Sequence, residues 1–200
     1  YATQTWSDVP KRDGRCIQMA WMRGGEYPDM PFNQQLTFPC VLSLRSIQDK
    51  MILCRYPIEE ITQLYKKEYE WENIEVGNGN TLLSGIKGDL FDIEIEFDPA
   101  ESDALGFKIH GYDVQYTTKT EKVVSRRTHP MPVKLNNGLI HLRILVDRTS
   151  IEVYCNHGAI TGANCILPIP AGPPPQLYIN GGNASIKSLK VRELKSIWPK

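Results

Sequence analysis

Residues 89–98 read Asp89-Leu90-Phe91-Asp92-Ile93-Glu94-Ile95-Glu96-Phe97-Asp98. Phe91, Ile93, Ile95 and Phe97 alternate with Asp92, Glu94 and Glu96, and a period of two belongs to a β-strand with one apolar face. The pattern returns downstream, where Ile140, Leu142, Ile144 and Val146 alternate with His141, Arg143 and Leu145. After the turn Asp147-Arg148-Thr149-Ser150 it continues through Ile151, Val153 and Cys155, and Asn156-His157-Gly158 reads as a hairpin turn. Leu105–Ile109, Tyr112–Thr118, Lys122–Arg126, Gln176–Ile179 and Ala184–Leu194 are further strands. Five prolines between Pro168 and Pro175 require a surface loop. Many short strands with polar turns and one apolar face predict a β-sandwich over 71–200.

Upstream the pattern is also β, but sparser. Residues 15–22 read as a strand after the turn signal Lys11-Arg12-Asp13-Gly14. Residues 36–45 hold a second strand, broken at Pro39, which cannot donate to a ladder. The segment from Gly24 to Pro31 is an irregular loop rich in breakers. Ile58, Ile61, Leu64 and Tyr65 recur at helical spacing behind Pro57, so 58–66 reads as one short helix. The expected division is a partial sheet over 1–45, a connector over 46–70 carrying that helix, and the sandwich. No internal repeat of fixed period occurs.

Composition narrows the function classes. The 200 residues carry 23 basic and 23 acidic side chains. A nucleic-acid stripe or an anionic-membrane patch needs a local excess of Lys and Arg, and none is present, so neither nucleic acid nor membrane is an expected partner. No run approaches the ~18 apolar residues of a membrane span. Residues 1–6, Tyr-Ala-Thr-Gln-Thr-Trp, have neither the basic start nor the apolar stretch of a secretory leader. The cysteines, Cys16, Cys40, Cys54, Cys155 and Cys165, are odd in number and form no C-x-x-C pair, so buried free thiols are expected rather than disulfides or zinc. Asn183-Ala184-Ser185 is a formal glycosylation sequon.

The candidate chemistry is thin. Asp92, Glu94 and Glu96 form a carboxylate row, and residues i and i+2 of a strand lie ~6.6 Å apart, within the range glycosidases use. Against that stands the ordinary solvated face of a half-buried strand, which is the expected reading. His110, His129, His141 and His157 lack metal-ligand spacing, so no metal or cofactor is expected. Cys155 and His157 lie two residues apart without an evident third group for a nucleophile. Gly24-Gly25 and Gly181-Gly182 precede no helix and match no phosphate loop. Trp6, Trp21, Tyr27 and Phe32 gather in the first 32 residues, as sugar-stacking or as core aromatics.

Longer strings carry a resemblance. Asp13-Gly14-Arg15, then Ile17-Gln18-Met19-Ala20-Trp21-Met22, then Met30-Pro31-Phe32-Asn33-Gln34-Gln35-Leu36-Thr37-Phe38-Pro39, resemble the last propeller region of glycoside hydrolase family 32, with Ala20 at the usual glycine. Tyr1-Ala2 with Thr5-Trp6 is similar to the segment just upstream. Pro57-Ile58-Glu59-Glu60-Ile61 resembles the family's connector. Asp147-Arg148-Thr149-Ser150-Ile151-Glu152-Val153-Tyr154 resembles its sandwich hairpin, and Leu189 to Trp198 its terminal strand.

That resemblance implies a five-bladed β-propeller, of which residues 1–45 are a partial last blade, followed by a β-sandwich, and retaining hydrolysis of β-fructosyl linkages in fructan or sucrose by two propeller carboxylates. The family's catalytic strings, a Trp-Met-Asn-Asp-Pro-Asn-like motif, Arg-Asp-Pro and Glu-Cys-Pro, do not occur here. The chain is therefore expected to hold no catalytic residue and to support a catalytic propeller. By the resemblance, Tyr1 and Trp21 lie nearest the sugar site, blade core being the alternative. The Gly24-Gly25 loop departs from members with an aromatic there. A secreted or periplasmic setting is implied.

The competing reading is a non-catalytic fructan-binding or dimerisation sandwich, for which Tyr112, Tyr116 and Tyr154 are the candidate exposed row. Residues 1–45 present unpaired edges. Either they associate with another chain, as in a homodimer, or they pack on the chain's own sandwich.

Overall fold

The computed structural model describes residues 1–47, 49–126, 129–167 and 173–197. Most of the proline loop and Trp198 thus lie outside the described residues. The architecture is all-β, with three antiparallel sheets and two short 3-10 segments among the described residues.

The first sheet runs in sequence order, β1 (Gln4–Thr5), β2 (Cys16–Met19), β3 (Cys40–Ile47) and β4 (Lys50–Pro57). The break expected at Pro39 is real, since β3 begins at the next residue. An isolated bridge between Trp21 and Leu36 extends the β2–β3 side beyond the strands proper. A 3-10 turn at Glu59–Leu64 follows. Helical spacing over 58–66 therefore gives a six-residue 3-10 helix, ended by the extended backbone of Tyr65.

Strand β5 (Tyr65–Gly77) then enters the sandwich. The sequence-drawn connector of 46–70 is strand at both ends, because β3 and β4 pair through Ile47–Lys50 and β5 already pairs at Tyr65. Lys and Glu alternation over 65–75 masked this strand, whose burial is slight. The remaining strands are β6 (Phe91–Asp98), β7 (Ala104–Ile109), β8 (Tyr112–Thr117), β9 (Lys122–Ser125), β10 (Met131–Pro132), β11 (Ile140–Val146), β12 (Ser150–Cys155), β13 (Ile160–Cys165), β14 (Gln176–Asn180) and β15 (Asn183–Leu194). They form a five-stranded sheet, β10-β9-β8-β7-β14, facing a six-stranded sheet, β13-β12-β11-β6-β15-β5.

The core between these two sheets takes Phe91, Ile93, Ile95 and Phe97 from β6, and Leu105, Phe107 and Ile109 from β7. Ile140, Leu142, Ile144 and Val146 from β11 join them. Each such side chain, removed from water, contributes about 1.5–3 kcal/mol. The apolar half of the period-two pattern thus lies where the sequence puts it.

The other face of the six-stranded sheet is not solvated. The first sheet and the 3-10 turn lie across it, burying Cys40, Ile61, Leu145 and Tyr154, with Phe38, Tyr56, Tyr65 and Leu194 packed around them. Every residue of β11 and β12 is consequently buried. The end of the 1–45 segment packs on the chain's own sandwich through Phe38 and Cys40.

Candidate functional site

Asp92, on that second face, is fully buried. Arg143 sits beside it because β11 and β6 are neighbours, and it donates from Nε at 2.9 Å and from Nη2 at 2.7 Å. Tyr65, where β5 begins, donates its hydroxyl to the same carboxylate at 2.7 Å. Glu94, two residues on, accepts the Tyr56 hydroxyl of β4 at 2.8 Å and meets His141 Nε2 at 3.0 Å. Its other oxygen accepts from Arg192 at 3.2 Å. The expected solvated carboxylate face is therefore a largely buried ionic seam at Asp92 and Glu94. A second sheet covers them, which alternation within one strand cannot report.

The chemistry of this seam is fixation. Burial pushes Glu94 up, but hydrogen bonds from His141 and Tyr56 and the Arg143 charge outweigh it and hold the carboxyl well below its ordinary value. Such a group stays ionised and is a poor proton donor. Burial would lower Arg143, yet Asp92 holds it charged, above its ordinary value. Burial raises the Glu152 carboxyl, opposed by the Phe38 N–H at 2.7 Å and the Tyr154 hydroxyl at 2.9 Å.

The turn Asn156-His157-Gly158 closes the seam. All three residues have positive φ, 46°, 56° and 85°. This brings the Gly158 carbonyl to the Arg55 N–H at 2.9 Å. The His157 ring stacks on His141 with centroids 3.8 Å apart, and both lie 6.1 Å from the Tyr56 ring. The His157 N–H donates to His141 Nδ1 at 3.3 Å, leaving Nε2 to donate to Glu94. Cys155 points into the core, where burial pushes its thiol up to about 12, so it forms no dyad with His157.

Tyr1 and Trp21 are brought together. Their rings meet edge to face with centroids 5.7 Å apart. Each backbone N–H reaches the other's carbonyl, Trp21 to Tyr1 at 2.8 Å and Tyr1 to Trp21 at 3.1 Å. Trp21 donates its indole N–H to Gln34 Oε1. In this chain Tyr1 is 74 % exposed and Trp21 half-buried. Trp6 is exposed and stands apart from it, whereas Tyr27 packs on Phe32 at 5.4 Å. Gln34 also lines a groove of about 680 Å³ between residues 32–39 and the sandwich, walled by Leu36, Phe38, Leu145 and Ile197.

The proposed exposed row Tyr112, Tyr116 and Tyr154 does not exist: Tyr116 and Tyr154 are buried, one in each core. All five cysteines are free, but Cys16 is exposed and Cys165 half-buried, which corrects the expectation that all are buried. Among the described residues no cluster of His, Cys, Asp and Glu could hold a metal. Sequence reasoning missed Tyr56, Arg143, Arg192, Gln34 and Gln35. The one signal pointing to the seam was a cation and an imidazole, Arg143 and His141, alternating on an otherwise apolar strand.

Comparison with known proteins sets this geometry in context. Levanase of Bacillus sp. (strain L7) is 32% identical over 225 residues, covering 99% of this chain and 24% of that protein. Levanase of Bacillus subtilis (strain 168) is 28% identical, covering 99% of this chain and 33% of that protein. The chain thus spans about a third or less of the length of these relatives. The crystal structure of exo-inulinase from Aspergillus awamori superposes with a TM-score of 0.80 at 19% identity, covering 99% of this chain and 43% of that one. That likeness is one of fold and includes the first sheet as well as the sandwich. Residues 60–193, from the 3-10 turn to the end of β15, match the family model described as glycosyl hydrolases family 32 C terminal, and the chain belongs to that family.

Proposed function

We propose that this chain is the supporting C-terminal region of a retaining β-fructosidase acting on fructan or sucrose, and that it does not itself cleave the bond. The observation that carries the reading is the similarity to levanases along 99% of the chain. The first sheet, four antiparallel strands in sequence order, has the make-up of one propeller blade. The sandwich holds that blade through the Glu94–Tyr56 and Glu152–Phe38 contacts. Tyr1 and Trp21 contact sugar at the rim of the pocket, where an exposed aromatic pair offers faces for the C–H surfaces of a fructosyl unit.

The division of labour follows from the seam. Retaining hydrolysis needs one carboxylate free to attack and a carboxylic acid able to donate. Both oxygens of Asp92 and of Glu94 are occupied by cationic or hydroxyl partners, so neither can do either. The test is release of fructose from levan, inulin and sucrose. The full-length protein is expected to release it and the purified 200-residue chain to release none; release by the chain alone would overturn the reading.

A further inference from the structure

Gln34 and Gln35 are neighbours on a segment drawn into extended pairing. The Met22 N–H donates to the Gln35 carbonyl at 3.0 Å, and the Trp21–Leu36 bridge follows at once. In extended backbone, successive side chains leave on opposite sides. Gln34 accordingly accepts the Trp21 indole N–H. Gln35 reaches the other way, into the sandwich. Its Oε1 accepts the Thr149 hydroxyl at 2.8 Å, and its Nε2 donates to the Thr149 carbonyl at 3.1 Å and to Cys165 Sγ at 3.4 Å.

Thr149 is 2 % exposed, in the turn between β11 and β12, and the Ile166 N–H donates to its carbonyl at 2.8 Å. Cys165, at the end of β13, also lies 3.7 Å from the Met22 carbonyl and 3.8 Å from the Tyr27 hydroxyl. The loop between Met22 and Gln35 is thus tied at both ends to one spot on the sandwich, and Trp21 immediately precedes it.

We propose that Gln35 is a positioning residue through which the sandwich sets the orientation of the Trp21 indole. A primary amide suits this task, since it accepts from the Thr149 hydroxyl while donating to the Thr149 carbonyl, a closed two-point contact that a carboxylate or an alkyl group cannot reproduce. The consequence for function rests on the reading of Trp21 as a sugar contact. A sandwich that fixes Trp21 contributes to substrate choice without touching substrate.

The test is a 15N NMR spectrum of the 200-residue chain, whose four tryptophans give separate indole N–H signals. Trp21→Phe assigns one of them, and Trp71→Phe assigns another on β5, remote from the contact. Thr149→Val removes the hydroxyl inside the sandwich and touches nothing on Trp21. Gln35→Met keeps the length of the side chain and removes its hydrogen bonds. Both are expected to move the Trp21 signal and to raise its solvent exchange several-fold, leaving Trp71 in place.

An unmoved Trp21 signal in both variants would overturn the proposal. Movement of Trp71 together with Trp21 in both would do the same, because it reports general disruption. The full-length protein examines the sugar reading separately: Trp21→Ala there is expected to raise the KM for levan. An unchanged KM counts against that reading, whereas indifference of the Trp21 signal to Thr149→Val counts against the coupling.

Discussion

The Arg143 guanidinium on β11 grips the Asp92 carboxylate on the adjacent strand β6 with two parallel hydrogen bonds, 2.9 and 2.7 Å, on the sandwich face that the first sheet covers. Fork-to-fork pairing of this kind fixes direction as well as distance. Tyr65 shares the same carboxylate, and Arg143 lies 5.1 Å from the Tyr56 ring centroid, so β4, β5, β6 and β11 meet at one pair.

Breaking that pair from one side leaves a buried charge. Arg143→Met is expected to destabilise the chain by about 3–5 kcal/mol, the usual cost of stranding one member of a buried ion pair. Asp92→Leu combined with Arg143→Met is expected to recover part of the loss. Urea unfolding of the two variants measures both; equal losses would show that the pair is not the element that matters.

Gly158 tests the contact of the β12–β13 turn with β4. A Cβ there would lie 2.2 Å from the Arg55 carbonyl oxygen, and φ is already +85°. Gly138 has a similar φ of +81° but nothing within 4 Å of such a Cβ. Gly138→Ala therefore carries only the backbone penalty, of order 1–3 kcal/mol. Gly158→Ala is expected to cost more and to loosen the first sheet. Thermal unfolding of the two variants side by side separates strain from lost docking.

His157 gives the seam a pH dependence. Burial first, then the neighbouring His141 ring and the Arg45 charge, lower its pKa to about 4, with Glu94 opposing. The folded state then binds this proton less readily than the unfolded chain, whose imidazole titrates near ~6.5. Stability contributed by the neutral ring is present above that value and is lost as pH falls toward 4. His157→Asn, a residue that tolerates positive φ, is expected to flatten stability against pH between those limits. An unchanged slope in calorimetry would exclude His157 as the source.

Thiol labelling reads the packing directly. Cys16 is exposed, whereas Cys40, Cys54 and Cys155 are buried, and burial pushes the Cys40 thiol up to about 11. Since the thiolate is the reactive form, Cys16 is expected to label at once and those three only on unfolding. Mass spectrometry of the labelled peptides assigns each site.

The apolar side of the sandwich was legible because β6 and β11 repeat with period two, and one buried face is all that period two encodes. The polar side was misread for the same reason. Asp92 and Arg143 sit where a solvated strand would place charge, and only a sheet formed far earlier in the chain, by β3 and β4, makes them buried. Strand β5 was partly lost among Lys66, Lys67, Glu68 and Glu70, which serve an edge strand by discouraging further pairing. Tyr1 and Trp21 came from motif resemblance, and their contact across 20 residues is a tertiary fact. Gln34 and Gln35 carried no signal, because adjacent amides acquire separate roles only when both of their neighbours are known.

The central claim is that the sandwich holds the first sheet in place. Hydrogen exchange of the 200-residue chain tests it most directly. The account predicts that the backbone amides of β3 and β4 are protected to the same degree as those of β6 and β11. Rapid exchange throughout β2, β3 and β4, with β6 and β11 still protected, would contradict it.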